Sequence, residues 1–148
     1  MKLPTTLIFV MDGEMSHFLL AKALILQIIG EISVSGGRYR AMEFAGSTVK
    51  SLTIEDRMTL CNMVVEARAK NGVVTADQIT FNYLEGKTSS SFEALYSDEA
   101  ARYLQEYIFD VYKLEPLVTK PYSHDNRALA RECKHINISL FHKWPLLQ

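Results

Sequence analysis

The amino-acid sequence predicts an α/β protein, organised as a single layered α/β/α domain. The β-branched, apolar run at residues 3–10 predicts a buried strand that stops at Asp12-Gly13. An almost entirely apolar helical run follows at 17–29, and a second strand-like run lies at 40–46 before another helical segment. This alternation favours an α/β layered domain over a helical bundle or a β-sandwich, and 148 residues suit one domain.

The first helix is predicted over residues 17–29. Ser16 precedes it and can cap its N-terminus, whereas Gly30 lies near its end. Because apolar residues run almost all the way round this helix, we expect it to be covered on most sides. The sequence SVSGGRYR then predicts a turn before the strand at 40–46.

The central helix is predicted over residues 55–72, EDRMTLCNMVVEARAKNG. Ser51 or Thr53 can cap it, and the acidic pair that opens it suits the positive end of the helix dipole. The sequence NGVV predicts a turn that ends this helix.

The second half of the chain alternates helical, polar and extended patterns. A helix-like segment at 76–85 closes at Gly86, and the polar sequence KTSSS that follows predicts a loop. Ser97, followed by DEAARYLQEY, predicts another capped helix. The sequence YIFDVYKLEPLVTKP predicts an extended segment whose prolines keep it away from the centre of a sheet. The sequence SHDNRALARECKHI fits either a helix or a loop.

Composition and charge argue against several classes of function. The net charge is −1 with no block of like charges, which disfavours nucleic acid as a partner. The most apolar run, 18–29, is interrupted by Lys22 and Gln27, so we expect no membrane span. The N-terminal residues have neither a secretory h-region nor transit-peptide composition, and the two cysteines form no CxxC pair. These features predict a soluble, cytoplasmic protein in a reducing environment.

Two polar residues of the central helix, Asn62 and Glu66, are candidate site residues. Together with Thr59 and Lys70 they fall on one narrow face of a helical wheel. Asn62 can form hydrogen bonds to a ligand, and Glu66 can hold or move a proton. The alternative is a solvated stripe in which Glu66 and Lys70 form an i,i+4 ion pair. Spacing alone favours this alternative.

Metal-ligating residues do not cluster in the sequence. Cys61 lies on the apolar side of the central helix and is expected to be a small buried side chain. Cys133 and His135 are too few ligands for a metal site, and the four histidines form no HxH or HExxH pattern. We therefore predict no metal site and no cofactor-binding residues from spacing.

Several stretches carry a resemblance to a known family: FVMDGEM, LLAKALILQIIGEISVSG, AMEFAGSTVKSLTIEDRMTLCNMVVEA, KNGVV, YLEGKTS and KLEPLVTKPYSHDNRALAREC. They resemble the large subunit of plant-type 3-isopropylmalate dehydratase, in the aconitase superfamily. The resemblance runs in register over about residues 1–134, which would form an incomplete internal domain of that subunit. Residues 137–148 do not match, so we expect 135–148 to be a divergent C-terminal tail.

The resemblance implies an activity, a cofactor and a partner. The family interconverts 2- and 3-isopropylmalate in leucine biosynthesis, using a 4Fe–4S cluster with one open iron that acts as a Lewis acid. It implies that Glu66 bonds the hydroxyl or water on that iron and that Asn62 positions substrate and cluster. It also implies a small subunit as partner and a location in the plastid stroma. Homoaconitases and glucosinolate-pathway isomerases share the motifs, so the substrate stays open.

The chain departs from the family in its cluster ligands. The family's upstream Asp-His and Asp-Ser-His motifs and its downstream GSCT and CxxC segments have no counterpart here. Cys61 and Cys133 match none of the ligand cysteines, so no cluster is expected on this chain alone. We therefore expect a truncated large subunit that is inactive by itself. The alternatives are one piece of a split enzyme and a non-catalytic module that binds the small subunit.

A second departure lies inside the central helix, where Arg68 occupies a position at which the family usually has Gly. The helical wheel places Arg68 on the core side, so we expect the Gly to allow close approach of another backbone. A guanidinium there must extend its head to solvent or stay buried without a partner, which costs several kcal/mol.

Overall fold

The structure, a computed structural model, describes residues 2–17, 19–98 and 100–135. Its strands are β1 (Thr5–Asp12), β2 (Arg40–Ala45), β3 (Asn71–Val74), β4 (Gln105–Asp110), β5 (Leu117–Thr119) and β6 (Arg127–Leu129). Its α-helices are α1 (Ala21–Ile32), α2 (Ser47–Ser51), α3 (Ile54–Met63) and α4 (Gln78–Leu84). Short 3₁₀ turns span Val64–Ala67, Val111–Lys113 and Ala130–Cys133.

A parallel sheet forms the centre of the fold. Its strand order is β3-β2-β1-β4, with Phe9 of β1 opposite Phe44 of β2 and Tyr107 of β4. Strands β5 and β6 form a separate antiparallel pair. The parallel sheet and its flanking helices confirm the α/β class predicted from the sequence.

The core lies on one face of the sheet. Alternate residues of β1 (Leu7, Phe9 and Met11) are at most 1% exposed and pack with the apolar side of α1. The rings of Phe9 and Tyr107 stack 5.0 Å apart. Each large apolar side chain buried in this way contributes about 2 kcal/mol to stability. On the opposite face of the sheet, Ser97 and Tyr103 donate hydrogen bonds to the Glu43 carboxylate, so these two residues cover part of that face.

The structure corrects both ends of the predicted first helix. Helix α1 begins at Ala21, with Leu20 at its N-cap and no side-chain capping bond. Ser16 instead accepts a backbone hydrogen bond from Leu19 in a turn. Gly30 lies near the end of the helix, as predicted, but inside it, because α1 continues to Ile32. The side chain of Arg127 crosses the helix at Gly30, where an added Cβ would lie 2.0 Å from the Arg127 Nε.

Two predicted turn or helix segments are strands. The sequence NGVV forms β3, paired in parallel with β2, and a Cβ on Gly72 would lie 2.8 Å from the Cα of Cys61. The predicted helix after Ser97 is wrong, because residues 105–110 form β4 along the free edge of β1. Pairing with a neighbouring strand therefore decides the conformation over local propensity at both places.

Two predicted strands, one helix and one helix cap are confirmed. Strands β1 and β2 and helix α4 match the predicted segments to within a few residues. Thr53 caps α3 by accepting a hydrogen bond from the Asp56 N–H, whereas Ser51 ends α2. The segment that fitted helix or loop contains β6 and a 3₁₀ turn. Among the described residues, no helix is long and apolar enough to cross a membrane. The domain boundary at 134 stays a prediction, and all but His135 of the predicted tail lies outside the described residues.

Candidate functional site

The central helix ends earlier than predicted, which breaks the polar stripe. Helix α3 stops at Met63 and tightens into the 3₁₀ turn Val64–Ala67. Lys70 is therefore not on the helix: its N–H donates to the carbonyl of Arg40, and its ammonium group lies 5.1 Å from the centre of the Tyr39 ring. The predicted Glu66–Lys70 ion pair does not form.

Arg68 ends this turn in the left-handed conformation, with φ 60° and ψ 24°. Its N–H donates to the Val65 carbonyl, and the Ala69 N–H donates to the Val64 carbonyl. The Arg68 side chain is exposed, so the prediction that it faces the core is wrong. Glycine suits this position because it adopts positive φ freely, not because another backbone approaches there.

Asn62 and Glu66 lie where α3 ends, at the amino edge of the parallel sheet. The carbonyl of Ala67 accepts a hydrogen bond from Gly37, just before β2 begins, which fixes this end of the helix. The Asn62 side chain is exposed, and Glu66 is 39% exposed. The apolar neighbours Leu60 and Ala67 are fully buried. Both candidate side chains are thus accessible to solvent.

The partner of Glu66 is His124, which the sequence did not indicate. The Nδ1 atom of His124 lies 3.3 Å from the Glu66 Oε2, and the imidazole is 49% exposed. His124 comes from the loop that joins β5 and β6, and no spacing rule connects it to α3. Only the docking of this β5–β6 hairpin reveals the contact.

Three contacts anchor the β5–β6 hairpin to the end of α1. Arg127 donates to the Gln27 carbonyl at 2.9 Å and lies 3.7 Å from the Glu31 carboxylate. Asp125 accepts a hydrogen bond from the Val34 N–H at 3.4 Å. Hydrogen bonds from Ser123 and then from Val34 hold the pKa of the Asp125 carboxyl below its usual value. These contacts place the loop that carries His124.

The opposite, carboxyl edge of the sheet holds a polar cluster around Asp12. Its Oδ1 accepts hydrogen bonds from the N–H and the hydroxyl of Ser47, at 2.8 and 3.0 Å. The backbone bond from Ser47, followed by its hydroxyl bond, lowers the pKa of Asp12. Gly46 has φ 102°, and a Cβ there would lie 2.2 Å from the Met11 carbonyl. The sequence indicated only that β1 stops here.

An ion pair between a buried arginine and a partly exposed aspartate lies at the same edge. Arg57 is 3% exposed, and its Nη1 and Nη2 atoms donate hydrogen bonds to the two carboxylate oxygens of Asp77 at 2.7 and 2.8 Å. The Nη2 atom also donates to the Lys50 carbonyl. The hydrogen bond from Arg57 is the main cause of a lowered pKa at Asp77, which also caps α4. The pair lines an open cleft of about 250 Å³ beside β2 and β3. Sequence patterns did not predict it.

The cysteines do not assemble into a metal centre. Cys61 is partly buried on α3, and burial raises the pKa of its thiol, which opposes the thiolate that a metal requires. Cys133 lies in the 3₁₀ turn Ala130–Cys133. Within residues 2–17, 19–98 and 100–135, no three His, Cys, Asp or Glu side chains are grouped to hold a metal ion.

Comparison with known proteins gives consistent matches. The family described as aconitase family (aconitate hydratase) matches residues 1–139. The chloroplastic 3-isopropylmalate dehydratase large subunit of Arabidopsis thaliana is 60% identical over 93% of this chain and 27% of the relative. The corresponding large subunit of Halothermothrix orenii is 42% identical over 84% of this chain and 30% of the relative. A probable methanogen homoaconitase large subunit from Methanosarcina mazei is 38% identical over 84% of this chain and 32% of the relative. The chain therefore spans about a third or less of the length of each of these relatives.

Proposed function

The chain belongs to the aconitase family, and on that premise we propose that it serves as one section of a 3-isopropylmalate dehydratase large subunit. In that role it contributes Asn62 and Glu66 to a hydro-lyase site completed by other polypeptide. The observation that carries the proposal is the accessible placement of both residues at the end of α3. Their polar groups face outward, where another domain can bring substrate to them.

The roles of the two residues follow from their chemistry. An ionised carboxylate accepts hydrogen bonds, so Glu66 suits a hydroxyl group that leaves as water. The amide of Asn62 both donates and accepts, which suits the orientation of a hydroxy acid. Leu60 and Ala67, which flank the two candidate residues in sequence, are fully buried. Their packing in the core holds the backbone that carries Asn62 and Glu66.

The family's 4Fe–4S cluster does not fit the side chains of these 148 residues. Such a cluster is held by cysteine thiolates, and this sequence has two cysteines, one of them with a thiol pKa raised by burial. We therefore derive no step through the cluster from this chain, and we propose that the chain alone has no hydro-lyase activity. When bound elsewhere in the enzyme, the cluster supplies a Lewis-acidic iron.

The relatives' names support a partner and a location. Several are named large subunits, so we propose that the complete enzyme includes a small subunit. The Arabidopsis thaliana relative is named chloroplastic, which supports the plastid stroma as the site of action. Both 3-isopropylmalate dehydratases and homoaconitases are similar to this chain. We propose isopropylmalate as substrate because the relative with 60% identity is named 3-isopropylmalate dehydratase, whereas the two homoaconitases are 38% and 45% identical.

Complementation tests this proposal. The chain is mixed with the small subunit and with a large-subunit fragment that lacks the section matching residues 1–139, after iron and sulfide are supplied anaerobically. We expect conversion of 2- to 3-isopropylmalate only when all three are present, and slower conversion of the homoaconitase substrate. Glu66→Gln should abolish the conversion, whereas Glu55→Gln, an exposed carboxylate in the first turn of the same helix, should not.

Other outcomes of the same mixtures contradict parts of the proposal. Visible cluster absorbance in the chain alone would overturn the argument from its cysteines. Activity with the small subunit alone would show that the chain is a catalytic piece of a split enzyme. Stable binding of the small subunit with no activity in any mixture would show a non-catalytic module.

A further inference from the structure

We infer that His124 and Glu66 act as a carboxylate–imidazole pair, in which Glu66 fixes the tautomer of His124 and leaves its Nε2 as the exposed proton acceptor. The inference deepens the proposed function and rests on it for the identity of the site. It adds His124 as the residue that accepts and returns the proton, and it assigns to Glu66 the role of orienting the His124 imidazole.

The contact between the two side chains determines the tautomer. The Nδ1 atom of His124 lies 3.3 Å from the Oε2 of Glu66. An ionised carboxylate only accepts hydrogen bonds, so a hydrogen bond across this contact is donated by the Nδ1–H of His124. A neutral imidazole has one N–H, and its Nε2 therefore carries the lone pair that can accept a proton.

The position of His124 does not depend on the ion pair alone. An exposed ion pair contributes little to holding two side chains together. Here the hairpin loop is anchored separately, through the contacts of Arg127 with Gln27 and Glu31 and of Asp125 with Val34. The pair thus connects the separately anchored hairpin loop to the turn after α3. The imidazole therefore lies beside Glu66 before any ligand binds.

The proton transfer balances within the pair and its ligand. The O–H bond of a hydroxyl group or water beside Nε2 breaks, its electron pair stays on oxygen, and an Nε2–H bond forms. The ring becomes an imidazolium ion while Nδ1–H remains bonded to the Glu66 carboxylate, which stays ionised. The negative charge of Glu66 stabilises the new positive charge at close range. Reversal returns the proton to the ligand.

Nitrogen NMR on the full 148-residue chain tests the inference. Long-range ¹H–¹⁵N spectra distinguish the two imidazole tautomers, and about pH 8.5 keeps ordinary imidazoles neutral. We expect His124 in the Nδ1–H form, and we expect Glu66→Ala to convert it to the Nε2–H form that free imidazoles prefer. The same spectra contain His17 and His135 as internal references, whose tautomers should not change.

A matched variant separates the pair from hairpin docking. Glu31→Ala removes a carboxylate partner of Arg127 and leaves Glu66 intact, so the Nδ1–H form of His124 should persist. Wild-type His124 in the Nε2–H form would overturn the inference, as would an unchanged tautomer in Glu66→Ala. If Glu66→Ala does not fold, the wild-type spectrum still decides. The tautomer is measured without substrate, so this result is independent of the complementation that tests the proposed function.

Discussion

Replacing Arg68 with Gly tests whether the end of α3 stores backbone strain. Arg68 has φ 60° and ψ 24°, and its position is fixed by the hydrogen bond from its N–H to Val65 and by the bond from Ala69 to Val64. An L-residue in this left-handed conformation costs about 1–2 kcal/mol, whereas Gly adopts it without that cost. The variant Arg68→Gly should therefore be more stable than the wild type.

The net gain is smaller than the strain itself. Gly also raises the conformational entropy of the unfolded chain, which offsets about 0.5–1 kcal/mol. The Arg68 side chain is exposed, and no ion pair or hydrogen bond of its guanidinium group is found in the described part of the chain. We expect the free energy of unfolding to rise by about 0.5–1 kcal/mol, and Tm to rise by about 2–3 °C.

Urea denaturation followed by far-ultraviolet circular dichroism measures this change. The control is Arg68→Ala, which removes the guanidinium but keeps a Cβ in the left-handed conformation, and its stability should stay within about 0.5 kcal/mol of the wild type. An equal gain in both variants would assign the effect to the Arg side chain rather than to the backbone. A loss of stability in Arg68→Gly would refute the strain argument.

Three further predictions concern contacts between remote segments. Arg57→Ala removes a buried guanidinium that binds Asp77, and it should lower the free energy of unfolding in urea by about 3 kcal/mol. The control Lys113→Ala removes an exposed ion-pair partner and should leave the urea midpoint unchanged. Arg57 lowers the pKa of Asp77, so the ionised Asp77 carboxylate stabilises the fold above about pH 4, and this stabilisation is lost as pH falls through the lowered pKa. Asp77→Asn should therefore remove this loss of stability in acid, measured by denaturation between about pH 5 and pH 2. Gly30→Ala adds a Cβ 2.0 Å from the Arg127 Nε, so it should speed hydrogen exchange in residues 117–129, although Gly→Ala within a helix ordinarily stabilises by about 1 kcal/mol. Unchanged exchange would show that the hairpin is not docked across α1.

Local sequence patterns were enough to predict the α/β class and its best-formed elements. Strand β1 was predicted from its β-branched, apolar run and β2 from a short strand-like run, and the structure buries Phe9 and Phe44 in these two strands. Thr53 was among the predicted caps because its hydroxyl lies within reach of the N–H three residues later. Spacing placed Asn62 and Glu66 on one face of a single helix, whereas the structure leaves both accessible but puts Glu66 in the 3₁₀ turn after α3, and their catalytic role stays a proposal.

Only the tertiary structure determined which segments adopt a conformation other than the one their local sequence favours, and which distant residues come into contact. Residues 105–110 form a strand because the edge of β1 offers backbone hydrogen bonds that a sequence window cannot contain. After the central helix ends at Met63, the Gly37 N–H, just before β2, donates to the Ala67 carbonyl, and the Arg40 carbonyl, in β2, accepts from the Lys70 N–H. His124 meets Glu66 for the same kind of reason: a docked hairpin brings together groups that no periodicity relates. Short-range patterns determine which segments are apolar, whereas hydrogen bonds between remote segments determine how those segments are finally arranged.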